Sequence, residues 1–151
     1  MQRILVLGAG FAGLWSAVAA ARKLDELGVS PVEVEVLVVN RTAWHSIRVR
    51  NYEADLGATR VPLADVLDPV GVKHIVAAVT DINVLERMVV CTMDGASQTL
   101  AYDRLVFALG SRLAQPAIAG LETYCLQCRH IRSRLAAQRS YRRIACPQPI
   151  R

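Results

Sequence analysis

Three glycines in one short run pose the first chemical question. Gly8-Ala9-Gly10-Phe11-Ala12-Gly13 directly follows the apolar run Arg3-Ile4-Leu5-Val6-Leu7. Glycines at this spacing do different work. The first permits a tight turn out of a strand, the second lets backbone approach a pyrophosphate with no Cβ in the way, and the third lets a helix pack closely on the sheet. The anion then rests on the helix N-terminus, where free N–H groups and the helix dipole favour negative charge. The pattern follows a strand and opens a helix, so it reads as a dinucleotide-binding turn. Gly8, Gly10, Phe11, Ala12 and Gly13 are its candidate cofactor-binding residues.

At the end of the next strand, such a site presents an acid to the ribose hydroxyls. Asn40 stands there, followed by Arg41. An amide can accept one hydrogen bond from a hydroxyl and donate another, without the charge-assisted strength of a carboxylate. Arg41 is placed to stack on an adenine or meet a phosphate; a solvated strand end is the plainer alternative.

Other reactive residues carry less. His45, Arg48, Arg50 and Tyr52 form a polar cluster that reads as a solvated loop with room for one functional member. Asp25 and Glu26 fall at a helix end, where exposure is expected. Cys91 is expected to be a small buried residue. Cys125-Leu126-Gln127-Cys128, with His130 and Cys146, can be written as a zinc set or a redox pair. A ligand set needs ordered flanking turns, and this stretch lacks them, so no metal site is assigned.

The elements that position these residues follow from periodicity. Arg3–Leu7 reads as a buried strand. Leu14, Ala17, Val18, Ala21, Leu24 and Leu27 recur at helical spacing, and Gly28 is a helix stop. Val32 to Val39 alternates Val with Glu and then turns wholly apolar, as a strand exposed at its start and buried at its end. Together these make a right-handed βαβ unit. Residues 40–60 are irregular and polar. Val61–Leu67 is expected to be a short helix with Pro62 in its first turn, closed by Asp68-Pro69. His74–Val79 reads as a third strand. Ile82–Leu85, Met88–Thr92 and Gln98–Ala101 read as short strands with a hairpin at Asp94-Gly95, and Arg104–Leu109 as a last buried strand.

With 53% apolar residues in 151, the chain has material for one folded core. The net charge of +5 is unevenly held: residues 1–122 carry 11 basic and 13 acidic side chains, and residues 123–151 carry seven arginines and no acid. A near-neutral body offers no nucleic-acid face. No signal peptide is seen, and no apolar run approaches the roughly 20 residues that span a bilayer. The default location is therefore cytoplasmic.

Four blocks together resemble a known family: Arg3–Ala17, Val38-Val39-Asn40-Arg41, Tyr102–Ser111 (including Ala108-Leu109-Gly110), and Ile118-Ala119-Gly120-Leu121. Over roughly residues 2–122 the chain looks like the N-terminal part of the FAD-dependent pyridine nucleotide-disulfide oxidoreductase superfamily, in the type II NADH dehydrogenase-like branch. The resemblance implies an α/β fold: a Rossmann-like FAD-binding βαβ with a parallel sheet, plus a small antiparallel β-meander. It implies FAD on the glycine turn, with Ala108, Leu109 and Gly110 lying along the flavin nucleotide and the backbone of Val79 meeting the adenine. NAD(P)H is implied as reductant and a quinone as acceptor, with peripheral association to the cytoplasmic membrane in the family. No catalytic residue is assigned. The chain departs from the family at Asn40, and it lacks a second glycine motif and the later flavin-contacting segments. It is therefore expected to be an incomplete domain, a truncated FAD-binding fragment of an NADH:quinone dehydrogenase-like protein. The alternatives are a non-catalytic dinucleotide-binding remnant, half of a split protein, or an NAD-binding module.

Residues 123–151 form a basic tail whose composition and patterning change together near Tyr124. A disordered segment or a shifted reading frame is the expectation. Resequencing beyond codon 122 should reveal a better-matching alternative frame; an undisturbed stop after Arg151 with no better frame overturns this.

Overall fold

The computed structural model describes residues 1–51, 53, 55–111 and 117–119. The chain divides into two compact units, residues 1–46 with 61–111, and residues 47–60 with 112–151. In the first unit the elements run β1 (Gln2–Leu7), α1 (Phe11–Glu26), β2 (Val34–Asn40), β3 (Trp44–Ser46), β4 (Arg60–Pro62), α2 (Leu63–Leu67), β5 (Lys73–Val76), β6 (Ala78–Asn83), β7 (Met88–Met93), β8 (Ala96–Ala101) and β9 (Arg104–Phe107). β4 takes its first residue from the second unit.

β5-β2-β1-β9 form a parallel sheet, β6-β7-β8 an antiparallel one, and β3 pairs with β4. Side chains of the two central strands alternate between two cores. Val6, Val36 and Val38 pack with Leu14 and Ala17 of α1 and Leu63 and Leu67 of α2. Leu5, Leu7, Leu37 and Val39 pack with Val89, Cys91 and Tyr102 on the meander side. Burial on both faces is why these strands read as continuous apolar runs. The α/β class and the meander are as expected. Cys91 is fully buried, and burial pushes its thiol pKa up.

Gly28, at φ +67, follows the end of α1. Asp94 and Gly95 both hold positive φ, at 50° and 84°, which makes the β7–β8 hairpin a type I′ turn. In the second unit, among the described residues, single 3₁₀ turns cover Arg48–Arg50 and Gly57–Thr59. There Arg50 grips Glu53 through two nitrogens, at 2.6 and 2.8 Å, and donates to the Ala58 carbonyl. That fork holds the Glu53 carboxyl below its ordinary range.

Several boundaries differ from the sequence expectation. The second strand starts at Val34, because residues 31–33 form a turn. The helix expected over Val61–Leu67 begins only at Leu63. Pro62 is extended at ψ 136° and serves as its N-cap, and a residue before proline is itself pushed towards extended backbone. The strand expected over His74–Val79 is two strands: the parallel ladder ends at Val76, the Ala77 N–H bonds the Asn40 carbonyl, and β6 then joins the other sheet. Val79 therefore pairs with Cys91 in the meander instead of ending a parallel strand. The strand expected at Ile82–Leu85 stops at Asn83, whose side chain caps a turn through the Glu86 N–H and leaves Leu85 97% exposed. The last strand ends at Phe107.

Glu35 was expected at the exposed start of β2, yet it is only 6% exposed. It sits between β1 and β5, where Arg3 Nε reaches one carboxylate oxygen at 2.6 Å and Lys73 Nζ the other at 2.9 Å. The Asp103 N–H also donates to the Arg3 carbonyl at 2.9 Å, and the Arg3 N–H donates to the Asp103 carboxylate at 2.7 Å. Three strands are thus tied at one end of the sheet by charge, and the residue before β9 by hydrogen bonds to the Arg3 backbone.

Burial works against ionised Glu35, but the hydrogen bonds and charges of Lys73 and Arg3 outweigh it and lower its pKa. A lowered pKa stabilises the fold above the ordinary value of 4.5, and that stability is lost as pH falls through the native value. Glu35→Gln should cost about 1–3 kcal/mol at neutral pH in urea unfolding and should flatten the acid limb of the stability profile below that ordinary value. An unchanged acid limb overturns this assignment.

Candidate functional site

The glycine turn lies at the C-terminal edge of the parallel sheet, and its three glycines are not equivalent. Gly8 adopts φ +94°, and its N–H bonds the Val39 carbonyl at 2.7 Å. A Cβ on it would overlap the carbonyl oxygen of Ala108. A Cβ on Gly13 would drive into the carbonyl oxygen of Gly8 and lie 3.2 Å from the Ala108 Cβ. Gly10 is different. It caps α1 at φ −71° and ψ −175°, a conformation open to any residue, and nothing lies within 4 Å of where its Cβ would be. The fold itself gives no reason for glycine at Gly10, and the space above it is open to a ligand.

The Ala108-Leu109-Gly110 motif completes this floor. The Ala108 N–H bonds the Leu7 carbonyl at 2.9 Å, carrying the β1–β9 pairing beyond the strand, and Gly110 turns at φ +79°. The two motifs, a hundred residues apart in the chain, are therefore packed directly on each other. α1 has no side-chain cap and no acid in its first turn; its first internal bond is Leu14 N–H to the Gly10 carbonyl. Four amides at such a start lack intrahelical partners, a charge pattern suited to an anion. Phe11 and Ala12, on that first turn, are exposed.

Asn40 stands at the end of β2 as expected, but its amide is already engaged. Oδ1 accepts from the Ala9 N–H at 3.0 Å, and Nδ2 donates to the Thr42 carbonyl at 2.7 Å and, more weakly, to the Trp44 carbonyl at 3.4 Å. A carboxylate could take the first of these bonds and neither of the others, which gives the amide its own structural reason. Arg41 is exposed beside it.

His45 departs most from the sequence reading. In place of a solvated loop residue, the structure has a ring 5% exposed, with Nδ1 2.8 Å from the Ala9 carbonyl and its plane nearly perpendicular to Phe11 at a centroid distance of 4.9 Å. No local pattern signals this; its contacts come from residues more than thirty positions away. Arg48 and Arg50 belong to the other unit. Tyr52, the Cys125–Cys128 pair, His130 and Cys146 lie outside the described residues. Among the described residues no group of three His, Cys, Asp or Glu side chains could hold a metal. A groove of about 420 Å³, lined in part by Val18, Leu24, Val34 and Lys73, lies by the C-terminal half of α1, at the opposite end from the glycine turn.

The sequence matches the family described as pyridine nucleotide-disulphide oxidoreductase over residues 2–145. An NADH dehydrogenase-like protein of Mycobacterium tuberculosis is 54% identical over 124 residues, which are 82% of this chain and 30% of that protein. A type II NADH:quinone oxidoreductase of Staphylococcus haemolyticus is 30% identical over 135 residues, 86% of this chain and 31% of that one. Among solved structures, the sulfide:quinone oxidoreductase of Aquifex aeolicus aligns with a TM-score of 0.76 at 19% identity, covering 97% of this chain and 33% of that chain, a likeness of fold. The chain thus spans about 30% of the length of the curated relatives it matches.

The geometry separates the glycines experimentally. Gly13→Ala should destabilise the fold by about 1–3 kcal/mol or more through overlap with backbone. Gly10→Ala should leave thermal stability unchanged or raise it by up to about 1 kcal/mol. Equal losses at both positions would contradict the distinction.

Proposed function

The chain belongs to the pyridine nucleotide-disulphide oxidoreductase family, and from that premise we propose that it is the FAD-binding portion of an NAD(P)H oxidoreductase of the NADH:quinone dehydrogenase type. The observation that carries this is Gly10. The other two glycines of the turn are required by the protein's own packing, while Gly10 keeps open a space bordered by an uncapped helix start.

In this reading the residues divide the cofactor between them. The pyrophosphate rests over Gly10 against the first-turn amides of Phe11, Ala12 and Gly13, with Gly8 holding the turn beneath. The adenosine lies towards Asn40 and Arg41, at the end of β2, with Val79 supplying backbone to the adenine. Asn40 keeps a second lone pair on Oδ1 for a ribose hydroxyl, and Arg41 supplies the positive charge that the missing carboxylate would otherwise oppose. Ala108, Leu109 and Gly110 line the other side. When bound, the flavin supplies the redox chemistry, taking a hydride from NAD(P)H and passing electrons to a quinone. The chain's own work is to bind and orient. The dinucleotide-binding portion is residues 1–122, with 123–151 a basic tail. The proposed setting is the cytoplasm, with peripheral contact to the membrane where quinone resides; no helix among the described residues is long and apolar enough to cross a membrane.

Flavin fluorescence titration tests the assignment. FAD should bind one to one and more tightly than NAD. Gly10→Val, which places a branched side chain in the open space, should weaken FAD at least about ten-fold, the scale of a blocked polar contact, with the fold intact by circular dichroism. Preference for NAD over FAD would assign the turn to a nicotinamide nucleotide instead.

A further inference from the structure

Ala9, between the first two glycines, is held at both of its backbone polar groups by side chains of the segment that leaves β2. Its N–H donates to Asn40 Oδ1 and its carbonyl meets His45 Nδ1, at 3.0 and 2.8 Å. A carbonyl cannot donate, so the proton in the second contact belongs to Nδ1. The His45 ring is buried and is held edge-on by Phe11.

These two bonds fix two successive peptide planes. No peptide bond among the described residues is cis, and a trans peptide unit points its C=O and N–H in opposite directions. The Gly8–Ala9 unit turns its N–H to Asn40 and so presents the Gly8 oxygen to Gly13, where only a glycine leaves room. The Ala9–Gly10 unit turns its oxygen to His45 and therefore turns the Gly10 N–H the opposite way. Gly10 is exposed, and its N–H has no acceptor among the described residues.

We propose that His45 is a positioning residue for pyrophosphate recognition: its Nδ1–H locks the Ala9–Gly10 peptide so that the Gly10 amide is presented to an anion at the turn. This rests on the dinucleotide reading above. His45 touches no ligand; it acts through one backbone carbonyl. Without that bond the peptide unit is free to rotate, and the ligand must restore its orientation on binding.

Two variants separate the hydrogen bond from the packing. His45→Asn places an amide N–H close to where Nδ1 stood and removes the ring; His45→Phe keeps a ring against Phe11 and removes the donor. The full 151-residue chain is titrated with FAD, and with ADP and adenosine as competitors. His45→Phe should weaken FAD and ADP about five- to ten-fold, the worth of one hydrogen bond, and leave adenosine, which has no phosphate, unchanged. His45→Asn should stay within about two-fold of the parent for all three. Equal losses in the two variants, or a matching loss for adenosine, overturn the proposal. Histidine ¹⁵N NMR of the ligand-free chain should show a protonated Nδ1 at His45; a bare Nδ1 overturns it too. Failure of the dinucleotide reading looks different, because then the parent chain itself binds neither FAD nor ADP while Nδ1 stays protonated.

Discussion

The contact between the carbonyl of Gly8 and the Cα of Gly13 leaves no room for a methyl group, and the placement of α1 depends on it. A helix that follows its strand so closely must begin beside the strand's C-terminal edge. Its first-turn amides are then gathered at one end of the sheet, next to the turn from which they spring. Any widening there would also lift Gly13 from Ala108 and loosen the floor that β9 supplies. Helix position, amide presentation and the seating of the second motif therefore share one steric constraint.

The opposite end of the sheet is governed by charge. Glu35 is buried and accepts from Arg3 and Lys73, and Arg3 is joined to Asp103. Apolar strands alone fix which face is which but allow register slips of two residues. An ion-pair set that spans β1, β2 and β5, with hydrogen bonds between Arg3 and Asp103 just before β9, is satisfied in one register only, so it specifies alignment where the hydrophobic pattern is silent. The same register brings Leu7 opposite Val39 and Phe107, which sets the three strand ends around the glycine turn at a common height.

What could be read in the sequence was what is decided locally. The glycine turn, β1, β2, α1 and the Asp94-Gly95 hairpin each carry their own signal, in periodicity or in a demand for positive φ. The fold class followed from those signals in the right order. The passage from β5 to β6 was hidden because His74 to Asn83 is one β-rich run, and only the pairing partners reveal that the chain changes sheets at Ala77. Glu35 and His45 were hidden for the same reason: a polar residue is buried when partners arrive from elsewhere in the chain, and those partners cannot be counted from its neighbours. Asn40 was found by position, but its inward bonds to Ala9 and Thr42 needed the loop's geometry.

The separation of Arg3 from Asp103 along the chain has a consequence for how the molecule comes together. The meander is built from neighbouring strands and closes only short loops, whereas β9 must return across nearly the whole described chain to lie beside β1. Contacts of such long sequence separation carry the loop-closure entropy that slows folding. During synthesis the glycine turn has no floor until Ala108, a hundred residues later, emerges. A turn specified by its own few residues thus waits on a distant segment for its working shape.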